Sequence, residues 1–424
     1  QGFIPDKVMF VTLISSCSNG EALRIGKIMH VQMMCCDGLA HMDVIVGTAL
    51  ITMYNKCGDI QEAKNAFGNV EQRNVISWNA LISAYVDHGQ LDVALCLFKQ
   101  MDVEGTLPDS VTFLAILPIL STLVDAKQCH AFLVGSGIDP QISIGTSLIH
   151  MYGKCHCLES SLRAFDQLQW RNLVSWNAYI NACVHNHNTY MHNHKNAHNS
   201  MQLLLQQMKH EGFMPDEVSF LGVLASCRTL AEVKQIHVYI LSLGYVTSHL
   251  ALGAALVKAY SECQSAHDAW VIFNQELECK NLILWNTMLG ASIQHGEWDK
   301  SLQLFKQLHL ECLIPDKVTY TTILSGCADR ADQVALAEGV RLHTCLAADG
   351  IESHARNSLV NMYAKCGDLK LAWMQFNSNI SEPSVVFWNS MICGFLEFGK
   401  FSGPFQLSQQ MVCQGTLPSP VTYA

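Results

Sequence analysis

The chain has 424 residues, half of them hydrophobic and only 15% charged, with a net charge of −10. It is too apolar for a disordered chain, and its negative balance argues against a strongly basic nucleic-acid footprint. The longest apolar stretch, Val111 to Val124, is broken by Thr112, Pro118, Ser121 and Thr122 and falls short of the roughly 18 residues of a spanning helix, so no membrane segment is indicated.

The elements are readable from the first clear hairpin onward. In Val44 to Asn74, Leu50, Met53, Tyr54 and Cys57 fall at i, i+3, i+4 and i+7, the stripe of an amphipathic helix. Gly58 ends that helix, and Ile60, Ala63, Phe67 and Val70 mark a second one antiparallel to it. The next segment, Val75 to Asp109, repeats the scheme with Trp78, Leu81, Ile82 and Tyr85, then Gly89, then Leu91, Ala94, Leu95, Phe98 and Met101, and closes on Gly105 and Pro108-Asp109.

These phrases recur. MYNKCGD at Met53 returns as MYGKCHC at Met151, AYSECQS at Ala259 and MYAKCGD at Met362, while a Trp-Asn pair begins at Trp78, Trp176, Trp285 and Trp388, at spacings of 98, 109 and 103. Self-similarity at a fixed period implies a solenoid, in which each hairpin buries its apolar face against its neighbours. Three kinds of unit alternate. Long units run 7–43, 110–141, 217–249 and 317–352, short ones 44–74, 142–172, 250–281 and 353–384, and Trp-Asn units 75–109, 173–216, 282–316 and 385–419. The expectation is one all-α array, residues 1–424, in four triplets, 7–109, 110–216, 217–316 and 317–419, with partial repeats at 1–6 and 420–424. Gly2 to Asp6 matches the unit terminus Gly212 to Asp216, so the chain reads as a fragment cut inside the pattern.

Eighteen cysteines are dispersed along the array with no C-x-x-C spacing, which reads as small apolar packing residues in a reducing compartment. One Trp-Asn unit carries nine extra residues rich in His and Asn. Its His185, His187, His192, His194 and His198 read as a possible Zn or Ni site or as a solvated loop, and no metal site is assigned. His309-Leu310-Glu311 matches only the first half of the zinc-deaminase signature, with no C-x-x-C after it. The chain is therefore expected not to be an enzyme, with no cofactor and no small-molecule substrate.

The triplet of a 31-residue unit, a 35-residue unit ending in Pro-Asp and a longer variable unit, with its MYxKCG and SWNALI phrases, resembles the plant pentatricopeptide repeat proteins of the PLS subgroup over essentially the whole chain. The resemblance implies a right-handed α-solenoid of about twelve TPR-like repeats that reads single-stranded RNA one base per repeat. It also implies two reading positions per unit, and helical periodicity independently turns Thr48 and Asn79 away from the apolar stripe. Carried over, the reading pairs are Thr48 with Asn74, Asn79 with Asp109, Thr146 with Asn172, Asn177 with Asp216, Asn286 with Asp316, Asn357 with Ser384, and Asn389 with Ser419. In the family's code Thr with Asn reads adenine, Asn with Asp uracil, and Asn with Ser cytosine, so units 44 to 419 spell A-U-n-A-U-n-n-U-n-C-C from 5′ to 3′. Apolar Val11, Leu114 and Leu221 occupy the reading site of three long units and leave it uncommitted, as do Thr321 in the fourth and Ala254 in the third short unit.

Ile45, Ile76, Val174, Ile283 and Val386 resemble the family's base-sandwiching residues, and Ser143, Ala251 and His354 depart from them. Lys56, Lys154 and Lys365 resemble its phosphate contacts or are solvated helix ends, with Glu262 in the same place in the third short unit. The implied setting is a mitochondrion or chloroplast. The implied role is that of a specificity factor for C-to-U RNA editing, with a deaminase domain supplied in trans because E/DYW-type terminal domains are missing. RNA stabilisation, splicing, translation, a TPR-like protein interaction scaffold or a decayed gene fragment are the alternatives.

Overall fold

The computed structural model describes residues 7–17, 22–34, 43–138, 141–186, 200–245, 249–276, 280–377, 384–398, 402–419 and 422. Contacts divide the chain into two compact units, residues 1–223 and 224–424. The described residues form 24 α-helices and no β-strand, paired as antiparallel hairpins. Helices Val44–Lys56 with Ile60–Gly68 and Val75–Asp87 with Leu91–Val103 are the two hairpins anticipated above.

Several helix starts are written in the sequence. Asn74 accepts the Ser77 N–H through its side chain while the Ser77 hydroxyl accepts the Asn74 N–H, a reciprocal capping box. Asp109 with Thr112, Asn172 with Ser175 and Asp316 with Thr319 repeat it. The turn inside the short hairpin needs a left-handed residue, supplied by Gly58 at φ 83° and Gly367 at φ 90°. His156 and Gln264 hold the same slot at φ 54° and 61°, conformations that cost a non-glycine residue on the order of 1 kcal/mol. Between Tyr260 and its cap Asn281 there is one residue more than between Tyr54 and Asn74. The second helix of that hairpin switches to a π turn over Ile272–Glu276, the geometry by which a helix accommodates an insertion.

Within the first unit the leading helices Lys7–Ser16, Val44–Lys56, Val75–Asp87, Ser110–Ile116, Ile142–Lys154 and Leu173–His185 pack in chain order. In the second, Leu250–Glu262, Leu282–Gln294, Lys317–Arg330, Glu352–Lys365 and Val385–Glu397 do the same. Approach between leading helices is close: a Cβ on Gly153 would lie 2.7 Å from the Ala182 Cβ. Four fully buried tryptophans anchor the stacks. Trp78, Trp176, Trp285 and Trp388 each meet a phenylalanine of the preceding hairpin edge to face, at 4.7, 4.8, 4.9 and 4.8 Å between centroids. Among the described residues their indole N–H groups have no hydrogen-bond acceptor, so they are held by packing. On the phenylalanine side, Arg73, Arg171 and Lys280 lie over Phe67, Phe165 and Phe273.

The MYxKCG tyrosines have a partner that the sequence reading did not anticipate. Tyr54, Tyr152, Tyr260 and Tyr363 place their hydroxyls 2.9, 2.7, 3.0 and 2.8 Å from Nδ1 of His30, His130, His237 and His343, tying each short unit to the hairpin before it. The cysteines behave as packing residues: burial pushes the Cys129, Cys183, Cys227 and Cys327 thiols up to about 12, which leaves them protonated and unreactive.

Burial lowers the pKa of His30 and His130, and His150 shifts the same way, mainly through burial. The neutral ring is therefore the folded form. A depressed folded pKa gives stability that is complete above the unfolded value near 6.5 and is lost as pH falls through the folded values. Thermal melts are expected to be constant from pH 8 to 7 and to fall between pH 6.5 and 5. The His30→Gln/His130→Gln variant is expected to show a shallower fall, whereas identical slopes would remove these two histidines as the cause.

Candidate nucleic-acid interface

The proposed reading pairs fall into two geometric classes. In the Trp-Asn units the two members are joined. Asn79 Nδ2 donates to Asp109 Oδ1 at 2.9 Å, Asn177 to Asp216 at 3.1 Å, Asn286 to Asp316 at 3.1 Å and Asn389 to Ser419 Oγ at 3.3 Å. A hydroxyl at the third position of the following helix completes each group: Thr112, Ser219, Thr319 or Thr422 donates to the Asn Oδ1 at 2.6, 2.6, 2.7 and 2.8 Å. Asn79 is more covered than the helical periodicity implied, at 7% exposure, because Asp109 and Thr112 of the next hairpin close over it.

Burial, the largest single effect, opposes ionisation of Asp109 and Asp316, yet both carboxyls are held below the ordinary value. The Thr112 and Thr319 N–H groups and the Asn79 and Asn286 amides donate to them and outweigh it, helped by the Thr112 and Thr319 hydroxyls, whose single protons lie nearer the Asn Oδ1 atoms but also 3.0 and 2.9 Å from the aspartates. Asp109 and Asp316 accept these bonds through Oδ1, which leaves one amide N–H and one carboxylate Oδ2 for a ligand. That edge donates at one point and accepts at the other. At Asp216 the Asn177 amide also reaches Oδ2, at 3.3 Å.

In the short units the members are separate. The Thr48 hydroxyl donates to the Val44 carbonyl at 2.7 Å and the Thr146 hydroxyl to the Ile142 carbonyl at 2.6 Å, so each offers lone pairs outward. Asn74 and Asn172 use Oδ1 to accept the Ser77 and Ser175 N–H groups at 3.0 and 2.8 Å, leaving the amide Nδ2 as donor. The polarity is thus the reverse of the first class: the leading-helix residue accepts and the unit-end residue donates. Asn357 is exposed and Ser384 caps its own helix through Phe387 N–H, with no bond between the two among the described residues.

Thr146 and Asn172 open into a cleft of about 830 Å³ that Leu114, Ile142, Ser143, Trp170 and Val174 also line. All five apolar residues expected to sandwich bases, Ile45, Ile76, Val174, Ile283 and Val386, are solvent-facing, at 55% to 67% exposure. Val111, Val218 and Val318, also one step after a unit start, are similarly exposed and were missed, although their spacing is visible in the sequence. The hydroxyl residues Thr112, Ser219, Thr319 and Thr422 were also missed; their signal was the position three residues after the unit-end Asp or Ser. Trp170 was missed too, since it occurs in one unit only.

The lysines are less uniform. Lys56 is exposed in the last turn of its helix. Lys154 donates to the Pro118 carbonyl at 3.3 Å, and Lys365 lies 3.6 Å from the Asp329 carboxylate, so both already serve a neighbouring helix end. Glu262, in the same slot, faces Lys258. Of the His-rich segment, His185 ends the helix Leu173–His185, while His187, His192, His194 and His198 lie outside the described residues. No cluster of His, Cys, Asp or Glu among the described residues could hold a metal ion. Nor is any described helix long and apolar enough to cross a membrane.

The PPR repeat family model matches residues 73–120 and 280–329, and a PPR repeat model matches 48–75. A chloroplastic pentatricopeptide repeat-containing protein of Arabidopsis thaliana is 31% identical over 98% of this chain and 50% of its own length. A mitochondrial one from the same plant is 30% identical over 100% of this chain and 60% of its own length. The chain belongs to the pentatricopeptide repeat family. It spans about half the length of the curated relatives it matches. Among solved structures, the pentatricopeptide repeat protein PPR10 in complex with an 18-nucleotide psaJ RNA element superposes with a TM-score of 0.62 at 19% identity, covering 100% of this chain and 66% of that one. PPR10 from maize gives 0.59 at 19% identity over the same shares of the two chains. The fold is thus that of a pentatricopeptide repeat solenoid.

Trp170, at 75% exposure, is the most exposed of the eight tryptophans of this pentatricopeptide chain. Trp170→Phe is expected to remove the largest acrylamide-quenchable part of the indole emission, leaving the protected emission of Trp78, Trp176, Trp285 and Trp388. Unchanged quenching would place Trp170 inside the packing and not at the cleft.

Proposed function

We propose that this pentatricopeptide chain binds single-stranded RNA through the outward edges of its paired unit residues and reads A-U-n-A-U-n-n-U-n-C-C from 5′ to 3′ along residues 44 to 419. The observation that carries the reading is the opposite polarity of the two pair classes. Adenine presents an amino donor beside a ring-nitrogen acceptor, which suits a Thr acceptor with an Asn donor. Uracil presents a carbonyl acceptor beside an imino donor, which suits an Asn donor with an Asp acceptor. A serine hydroxyl both donates and accepts, so the pairs ending in Ser384 and Ser419 accommodate cytosine. The exposed Ile45, Ile76, Val174, Ile283 and Val386 then pack on base faces, which any base offers.

Phosphate contacts contribute little in a chain of net charge −10. If Lys56, Lys154 and Lys365 each neutralise one phosphate, log K falls against log salt with a slope of about −2. The relatives named chloroplastic and mitochondrial support an organellar RNA as target. Within that setting the triplet of units favours a specificity factor for C-to-U editing that brings a deaminase domain, supplied in trans, to one cytidine.

The test is competition binding of AUNAUNNUNCC against the same oligomer with every specified A and U exchanged, at two salt concentrations. Each reversed pair opposes like groups and costs ~1 kcal/mol or more. Five exchanges are therefore expected to give a preference on the order of 1,000-fold or more that persists at the higher salt. Equal affinity for the two RNAs, or no binding, would overturn the reading.

A further inference from the structure

The geometry points to Thr112, Ser219 and Thr319 as positioning residues that lock the neighbouring Asn amide in one orientation and thereby set uracil apart from cytosine. This rests on the RNA reading above and adds a residue to each site that belongs to the following hairpin.

The lock has two parts. An ionised carboxylate only accepts hydrogen bonds, so the group facing Asp109, Asp216 or Asp316 must be the amide nitrogen. The hydroxyl on the other side then meets Oδ1, and it donates there at 2.6 Å from Thr112, 2.6 Å from Ser219 and 2.7 Å from Thr319. With Oδ1 and one N–H engaged inside the protein, only one N–H remains to face a base. Beside it stands Oδ2 of the aspartate, an acceptor. Uracil's carbonyl and imino N–H complement that edge, whereas cytosine's amino group and unprotonated ring nitrogen would set donor against donor and acceptor against acceptor.

At Asn389 the rule relaxes for a visible reason. Ser419 and Thr422 are both hydroxyls, 3.3 Å apart, and either can donate or accept. Neither hydroxyl forces the amide to keep its nitrogen toward Ser419, so the pair can turn over and accept cytosine. Discrimination between the two pyrimidines therefore depends on the hydroxyl and the aspartate acting together on one amide.

The same hydroxyls also cap helices. Thr319 Oγ1 accepts the Asp316 N–H at 3.2 Å, and Thr112 Oγ1 accepts the Asp109 N–H at 3.1 Å. A purely capping role would lower stability, and affinity for all RNAs alike, without altering the choice between pyrimidines.

The experiment uses the full chain with Thr319→Val, Thr319→Ser and Thr112→Val. Three RNAs are compared: AUNAUNNUNCC, the same RNA with C at the eighth nucleotide, opposite Asn286 and Asp316, and one with C at the second, opposite Asn79 and Asp109. Thr319→Val is expected to lower the U-over-C ratio at the eighth nucleotide about five-fold, the worth of one neutral hydrogen bond, and to leave the second unchanged. Thr319→Ser is expected to keep both ratios, as Ser219 occupies the same place naturally, and Thr112→Val to lower only the second. Should Thr319→Val fold too poorly to bind, Thr112→Val carries the same test at its own nucleotide. Equal loss of affinity for U and C RNAs with the ratios intact would overturn the lock and leave the RNA reading standing. Wild-type chain with no pyrimidine preference at either nucleotide would overturn both.

Discussion

The helix N-cap is the constraint on which both the fold and the proposed reading surface depend. Every hairpin must satisfy the free N–H groups of its leading helix, and at the Trp-Asn units and at two of the long units Asn, Asp or Ser does so through a side-chain oxygen. These capping residues are also the unit-end members of the proposed reading pairs. Capping engages one oxygen and turns the rest of the side chain outward, so the few residue types that cap well are also those that offer a donor, an acceptor or both. A substitution at Asp109 or Asp316 would therefore alter helix stability by about 1 kcal/mol and base preference together.

Stacking fixes the distance between successive caps. The edge-to-face contact of tryptophan with phenylalanine and the tyrosine hydroxyl on histidine recur in all four triplets with nearly constant dimensions. A ring pair of this kind contributes about 1 kcal/mol beyond its buried area, and its shape admits one register between hairpins. Some surface charges pair across a unit, such as Arg73 with Glu104 and Arg171 with Glu211, where they add little. An acidic chain is thus compatible with a ligand held by base edges and apolar faces more than by phosphates.

Much of this was legible in the sequence. Apolar spacing located the helices of Val44–Asn74 and Val75–Asp109, the glycines located their turns, and the repeated phrases located the anchors. What escaped were contacts between hairpins. Nothing local to Asn79 announces that Thr112, 33 residues on, will hold its amide, and nothing in MYNKCGD announces His30. Helical periodicity sees one helix at a time, so it placed Asn79 on an open face that the next hairpin covers. The hydroxyls do keep a fixed offset from the unit-end residues, so comparing the triplets position by position would have picked them out, whereas the histidines precede their tyrosines by 24, 22, 23 and 20 residues and carry no constant spacing. Lys154 and Lys365 show the opposite failing: equal sequence position did not mean equal surroundings.

The most direct measurement exchanges a single unit-end residue. Asp316→Ser would turn the pair with Asn286 into the composition of Asn389 with Ser419, keep a helix cap, and leave every other unit unaltered. Competition between two RNAs differing only as U or C at the eighth nucleotide then reads one pair alone. The account predicts that the wild-type preference for U moves to C in the variant, with overall affinity largely retained. A preference for U that survives the exchange would contradict it, because the base would then be read by something other than the edge these residues form.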